Sequence, residues 1–230
     1  MKRTLLAGLP GLGLTLTEAQ TETLCRFGEE LLAGSQVMNL TAIRDPEGVA
    51  NLHFLDSLAL LNVTDLRDKT VLDVGCGAGF PGVPLKIGQP SLRLTLLDSL
   101  GKRMTWLERT LADLGVEAQV VCARAEEYAK DHREAYDVVT SRAVARLNVL
   151  SELCLPLTKV GGAFLAMKGA RIREELEEAA CAIDTLGAEV ERVAEYAVAG
   201  ATHYAAVIRK VRPTPGVYPR AFAKIKQKPL

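Results

Sequence analysis

Hydrophobic positions along this chain change period once. Up to about residue 65 they recur at helical spacing. Thr17 and Gln20 form a capping-box pair ahead of Leu24, Phe27 and Leu31, and Gly34 offers a stop, so a helix is predicted over 17–34. Asp45 and Pro46 open a second helix, in which Val49, Leu52, Leu55, Leu58 and Ala59 line one face. From Thr70 short apolar runs alternate with amphipathic stretches. Strands are predicted over 70–74, 92–98, 119–122, 136–140, 163–167, 190–198 and 203–211. Helical segments fall at 81–88, 102–114, 147–157 and 171–186, with Gly115 and Gly187 closing two of them. Strands that alternate with helices belong to an α/β, doubly wound, mostly parallel sheet, here of seven strands. The last two strands have no helix between them and are expected as an antiparallel pair at the sheet edge.

A length of 230 residues fits one domain with an appendage. We place an N-terminal arm and helical extension at 1–65 and the main domain, with a basic C-terminal tail, at 66–230. Hydrophobic residues at 48% and charged residues at 24% exclude a disordered or low-complexity chain. The five cysteines are scattered without a Cys-x-x-Cys and the three histidines lie far apart, so neither a metal site nor a disulfide scaffold is expected. Met1 to Leu16 pairs Lys2 and Arg3 with a short apolar stretch, as signal peptides do. Pro10, Gly11 and Gly13 interrupt it and no small-residue cleavage site follows, so a tethered arm of a cytoplasmic protein is the expectation. No run approaches the ~18 residues of a membrane span.

The chemistry gathers after the first strand. Asp73, Gly75, Gly77 and Gly79 sit where a buried strand gives way to a helix, the place where open parallel sheets bind ligands. Glycines there let the backbone turn sharply and approach a bound molecule closely. A dinucleotide fingerprint would need a third glycine at position 80, which is Phe80, so a nicotinamide oxidoreductase is disfavoured. Asp98 ends the second strand 23 positions beyond Gly75, near the ~20-residue offset of an acid that reaches ribose hydroxyls. Asp98 could equally cap the following helix, and the glycines could be turn chemistry alone. The pattern Asp73-x-Gly75-x-Gly77-x-Gly79 resembles motif one of Rossmann-like S-adenosylmethionine-dependent methyltransferases. Arg124, Ala125 and Glu126, after the third strand, are then placed to read adenine, with Ala125 or Glu126 backbone groups as partners.

A longer series of motifs narrows this. Asn39–Ile43, His53–Ser57, Asp73–Gly82, Leu97–Arg103 and Thr140–Ala143, extended by Met167–Gly169 and Tyr218–Arg220, together resemble the RsmG (GidB) family of 16S rRNA guanine-N7 methyltransferases, from about Asn39 to Leu230. The arm before Thr17 has no recognisable counterpart. The resemblance implies a class I methyltransferase fold, S-adenosyl-L-methionine as cofactor, and 16S rRNA, free or in the small ribosomal subunit or its assembly intermediate, as partner. It places cofactor contacts on Gly75, Phe80, Ala125, Glu126 and Arg142, to which the loop reading adds Gly77 and Asp98. A cofactor-free RNA-binding or assembly protein is the alternative from another class.

Guanine N7 carries an in-plane lone pair and needs no general base, so no catalytic side chain is expected and orientation carries the rate. Cys76 is not a nucleophile on this reading, since no Pro-Cys pair of the pyrimidine-methylating kind is present. Arg142, leaving strand four, could pair with the cofactor carboxylate, steer the base through its oxygen, or sit in a surface salt bridge. The net charge of zero hides a polar distribution. Arg209, Lys210, Arg212, Arg220, Lys224, Lys226 and Lys228 face no acid from 209 onward, whereas 174–195 holds eight acids against Arg192. Lys102, Arg103, Lys168, Arg171 and Arg220 are the candidate RNA contacts. His53 and Ser57, one helical turn apart, could join them, although a satisfied structural histidine is expected.

Overall fold

A computed structural model of the protein describes residues 1–142 and 145–230; Ala143, at the end of the Thr140–Ala143 motif, and Val144 lie outside the described residues. The chain opens with α1 (Lys2–Gly8) and α2 (Glu18–Gly34), then a composite helix running through α3 (Pro46–Val49), a π-helical turn (Ala50–Leu55), α4 (Asp56–Leu58) and a 3-10 turn (Ala59–Asn62). The sheet follows: β1 (Thr70–Val74), α5 (Gly82–Gly88), β2 (Arg93–Asp98), α6 (Gly101–Leu114), β3 (Gln119–Cys122), α7 (Ala125–Tyr128) and β4 (Tyr136–Arg142). It continues through α8 (Leu147–Cys154), β5 (Thr158–Lys168), α9 (Ile172–Thr185), β6 (Ala188–Val198), β7 (Ala201–Lys210) and α10 (Phe222–Gln227).

The seven strands are ordered β3-β2-β1-β4-β5-β7-β6. β7 runs antiparallel to both β5 and β6, and the remaining pairings are parallel. The order reverses between β1 and β4, and at such a switch point adjacent loops diverge and leave a crevice beyond the strand ends. β5 starts at Thr158, earlier than its apolar pattern suggests. A Cβ on Gly162 would lie 2.6 Å from the Asp137 carbonyl oxygen, so this glycine, ahead of the predicted strand, marks close approach of two strands.

One apolar cluster packs α2, the composite helix, α5 and α6 on one face of the sheet; a second packs α8, α9 and the C-terminal segment on the other. Val71 points into the first cluster, Leu72 and Val74 into the second, the alternation a strand enforces. Leu60 and Val63 join Leu66 in the first cluster, so the expected division at 65/66 does not interrupt the core.

Residues 1–16 are held against the core. Leu5 and Leu9, one turn apart, are buried at 0% and 3% exposure, and a Cβ on Gly8 would meet Leu55 Cδ1 at 2.2 Å. One expectation needs correction: the predicted apolar face of the second helix fails at Leu52, which is 45% exposed. The π turn admits one extra residue and rotates the face, so His53 and Phe54 turn inward where a regular helix would have placed Leu52. Among the described residues no helix is long and apolar enough to cross a membrane.

Candidate functional site

At the end of β1 the chain turns through Gly75, Gly77 and Gly79, all left-handed with φ of 69°, 56° and 98°. The bend needs glycine at each, but for two purposes. A Cβ on Gly77 would meet only Arg103 Nη1, at 4.0 Å, so this backbone faces open space. A Cβ on Gly79 would strike Val83 at 2.6 Å, so that glycine serves packing. Gly75 N–H donates to the Leu97 carbonyl (2.8 Å) and Gly77 N–H to Asp98 Oδ2 (3.0 Å), tying the loop to the tip of β2. Asp98 Oδ1 accepts the Leu100 N–H (2.9 Å) ahead of α6. That bond closes a local turn before Leu100, the N-cap of α6, and the helix has no side-chain cap, so Asp98 does not cap it; each Asp98 oxygen keeps lone-pair capacity for a second donor such as a sugar hydroxyl.

These groups enclose a cleft of about 390 Å³ at the carboxyl ends of β1, β2 and β3. Of the sequence-predicted cofactor residues, Gly75, Gly77, Asp98, Ala125, Glu126 and Arg142 line it, as does Arg103. Behind the loop lies Asp73, fully buried. Its Oδ2 accepts the Gly82 N–H (2.7 Å), its Oδ1 has no partner among the described residues, and burial raises its pKa to about 7. Burial likewise pushes the Cys76 thiol well up, which keeps it protonated and inert.

Phe80 lies elsewhere. Its ring is in the core, 5.6 Å from Phe27 and stacked on His53 at 4.3 Å. Arg142 covers the same ring at 5.1 Å and is held by neighbours on the composite helix. Its Nη1 donates to the Leu52 carbonyl (2.9 Å) and Asp56 Oδ2 (3.2 Å), and its Nη2 to His53 Nδ1 (2.8 Å). That last bond requires an unprotonated Nδ1, so the proton sits on Nε2 and is donated to Thr41 Oγ1 (2.8 Å). Burial and the adjacent guanidinium lower the His53 pKa to about 3. His53 is thus a satisfied structural histidine, and Arg142 is anchored by a largely buried ion pair with Asp56 rather than one on the surface.

The candidate RNA contacts divide. Lys102 and Arg171 are exposed at the carboxyl edge, and Arg103 reaches back to the Asn39 carbonyl (2.7 Å). Lys168 and Arg220 require correction. Lys168 Nζ donates to Glu175 Oε2 (2.7 Å) and the Ala145 carbonyl (2.6 Å) with 7% of its side chain exposed. Arg220 forks onto the fully buried Glu152. Neither cation is free for phosphate, because each neutralises an acid the fold has enclosed.

The family model for rRNA small subunit methyltransferase G matches residues 20–203. The chain belongs to that family. It is 46% identical to the ribosomal RNA small subunit methyltransferase G of Alkaliphilus oremlandii, over 100% of this chain and 99% of the relative. It is equally 46% identical to the one from Halalkalibacterium halodurans, over 95% and 94%. The first alignment reaches the residues before Thr17, so the arm expected to stand alone has a counterpart. Among solved structures, a SAM-dependent methyltransferase from Aquifex aeolicus superposes with a TM-score of 0.55 at 18% identity, over 73% of this chain and 94% of its own. TrmN from Thermus thermophilus gives 0.55 at 19%, over 68% and 48%. Both show the methyltransferase fold.

Family membership draws attention to groups that sequence reasoning missed. Phe222, at the start of α10, lines the cleft, with Arg124 over its ring at 5.3 Å. Asp56 accepts from Tyr196 OH (3.1 Å) and pairs with His203 Nδ1 (2.9 Å) as well as with Arg142. These line a second cleft of about 470 Å³ at the carboxyl ends of β4 and β5, and Arg142 is a wall of both. Tyr196 and His203 face each other in register across β6 and β7. Their scatter in sequence carried no signal beyond the antiparallel pairing.

Proposed function

We propose that this protein transfers a methyl group from S-adenosylmethionine to N7 of a guanine in 16S rRNA and acts in the cytoplasm. The observation that carries the reading is the glycine bend facing Asp98, beside Ala125 and Glu126, in a chain of this family. The residues fit the donor. Asp98 would accept the ribose hydroxyls, Ala125 and Glu126 would meet adenine, and the glycine bend, open at Gly77, would lie against the amino-acid end. Bound there, S-adenosylmethionine supplies an electrophilic sulfonium methyl and departs as a neutral thioether, leaving the positive charge on the methylated guanine.

The protein's part is positional. N7 offers its lone pair without losing a proton, so no side chain need act as base. Holding the reacting atoms in line can supply about 7–11 kcal/mol of the barrier reduction. Exposed Lys102, Arg171, Lys224, Lys226 and Lys228 offer phosphate contacts that make RNA binding fall as salt rises. The test maps N7-methylguanine in 16S rRNA from cells with and without the gene, and adds purified protein with labelled donor to small subunits from the deficient strain. One N7-methylguanine should vanish from the rRNA and be restored in vitro. An unchanged methylation map refutes the proposal, as does a protein that binds NAD in preference to S-adenosylmethionine.

A further inference from the structure

We infer that the second cleft receives the target guanine and that Glu175 reads its Watson–Crick edge; the inference rests on the methyl-transfer reading above. A base must reach the donor from a neighbouring space. Among the cavities of the described residues, the one at the ends of β4 and β5 shares a wall, Arg142, with the cofactor cleft. Its volume of about 470 Å³ lies in the range of small-molecule sites. Such enzymes take the reacting base out of its stack and hold it by hydrogen bonds to its Watson–Crick edge.

The chemistry of guanine selects the reader. With N7 turned toward the donor, N1–H and the 2-amino group lie on the far side of the ring. Both are donors and require an acceptor. Two carboxylates line the cleft, Asp56 and Glu175. Asp56 has both oxygens engaged, Oδ2 by Arg142 and Oδ1 by Tyr196 and His203, and only 8% of its side chain is exposed. Glu175 commits only Oε2, which accepts Lys168 Nζ (2.7 Å) and the Leu147 N–H (2.9 Å), while Oε1 has no partner among the described residues. Lys168 and Glu175 are 7% and 16% exposed, so the pair is held rigid and the acceptor is fixed before the base arrives. Adenine would present its N1 lone pair to this carboxylate and would lack the 2-amino group, so the same oxygen rejects it. Arg171, exposed on the rim, can meet O6 or the flanking phosphate. Lys168 thus serves RNA recognition indirectly, by orienting Glu175.

The experiment crosses protein and base. Small subunits are reconstituted with 16S rRNA carrying guanosine or inosine, which lacks the 2-amino group, at the methylated position. Methyl transfer is measured as kcat/KM for the wild type, for Glu175→Ala, and for the double variant Lys168→Met/Glu175→Leu. The double variant removes both charges and keeps the site filled, so it folds even where a stranded lysine would not. The wild type should favour guanosine by tenfold or more, the range for a hydrogen bond to a charged acceptor. In both variants the ratio should fall to about one with S-adenosylmethionine affinity unchanged by calorimetry. A guanosine-to-inosine ratio as large in the variants as in the wild type overturns the inference, and so does loss of donor affinity, which would mark the pair as purely structural. Wild-type protein that binds the donor yet methylates no guanosine refutes the proposed function itself.

Discussion

Replacing Arg220 with methionine tests whether the C-terminal segment is a fastened part of the site. Glu152 is fully buried, and Arg220 satisfies it three times: N–H to Oε1 (2.8 Å), Nε to Oε1 (2.8 Å) and Nη2 to Oε2 (2.5 Å). Arg133 ties the same segment through the carbonyls of Thr214, Pro215 and Tyr218. Buried Lys210 pairs with Glu134 (2.8 Å), which also accepts the Thr214 N–H. Two residues beyond Arg220 is Phe222, which lines the cleft beside the glycine bend. Arg220→Met leaves a buried carboxylate with one backbone donor, and breaking such a pair costs about 3–5 kcal/mol. That is a large share of the ~5–15 kcal/mol that holds a domain folded. Urea unfolding at fixed m reads the loss. The double variant Arg220→Met/Glu152→Leu should recover most of it, since a well-packed apolar pair replaces a buried ion pair at little net cost. A single-variant loss below about 1 kcal/mol, or a double variant no better than the single, refutes this account. So would a variant of unchanged stability whose RNA affinity alone falls, because the guanidinium would then be serving phosphate.

Gly75→Val forces a β-branched residue to φ 69°, a strain of about 1–3 kcal/mol, and should abolish S-adenosylmethionine binding in calorimetry; wild-type affinity would remove the loop from the site. Phe222→Ala should weaken donor affinity about twofold to tenfold, the scale of one aromatic contact, with little change in melting temperature; equal affinities would place the ring outside the binding surface. Asp73 and His53 predict a masked pH dependence. Asp73 keeps its proton in the folded state up to about 7 against an ordinary 3.8, so its contribution to stability falls as pH rises through that window. His53 stays neutral down to about 3 against 6.5, so its contribution falls as pH drops through its own window. Between pH 5 and 7 the slopes oppose. Wild-type stability should be nearly flat there, while Asp73→Asn exposes the histidine and loses about 2 kcal/mol from pH 7 to 5 in urea titrations. Parallel pH curves for the two proteins would contradict the assignment.

The strands, the glycine bend and the acid at the tip of β2 were legible because each is local. A strand shows its period within five residues, a left-handed turn favours glycine at the position itself, and Asp98 follows the bend at the spacing one strand-helix-strand unit imposes. The capping box at Thr17 was legible for the same reason, with both of its hydrogen bonds between residues three apart. The Leu52 face was misread because a π turn has no distinctive pattern of residues.

Sequence alone determined the alternation of elements, hence the doubly wound sheet, and the position of the glycine bend within it. Tertiary structure alone decided what the charged side chains do. Lys168, Arg220 and Arg142 look alike as basic residues near a ligand-binding edge, yet one fixes Glu175, one locks the tail onto Glu152, and one joins His53 to Asp56 between two clefts. A charge acquires its role from the opposite charge the fold brings within about 4 Å, and from how much water is left around the pair. Neither quantity is written in the order of residues along the chain.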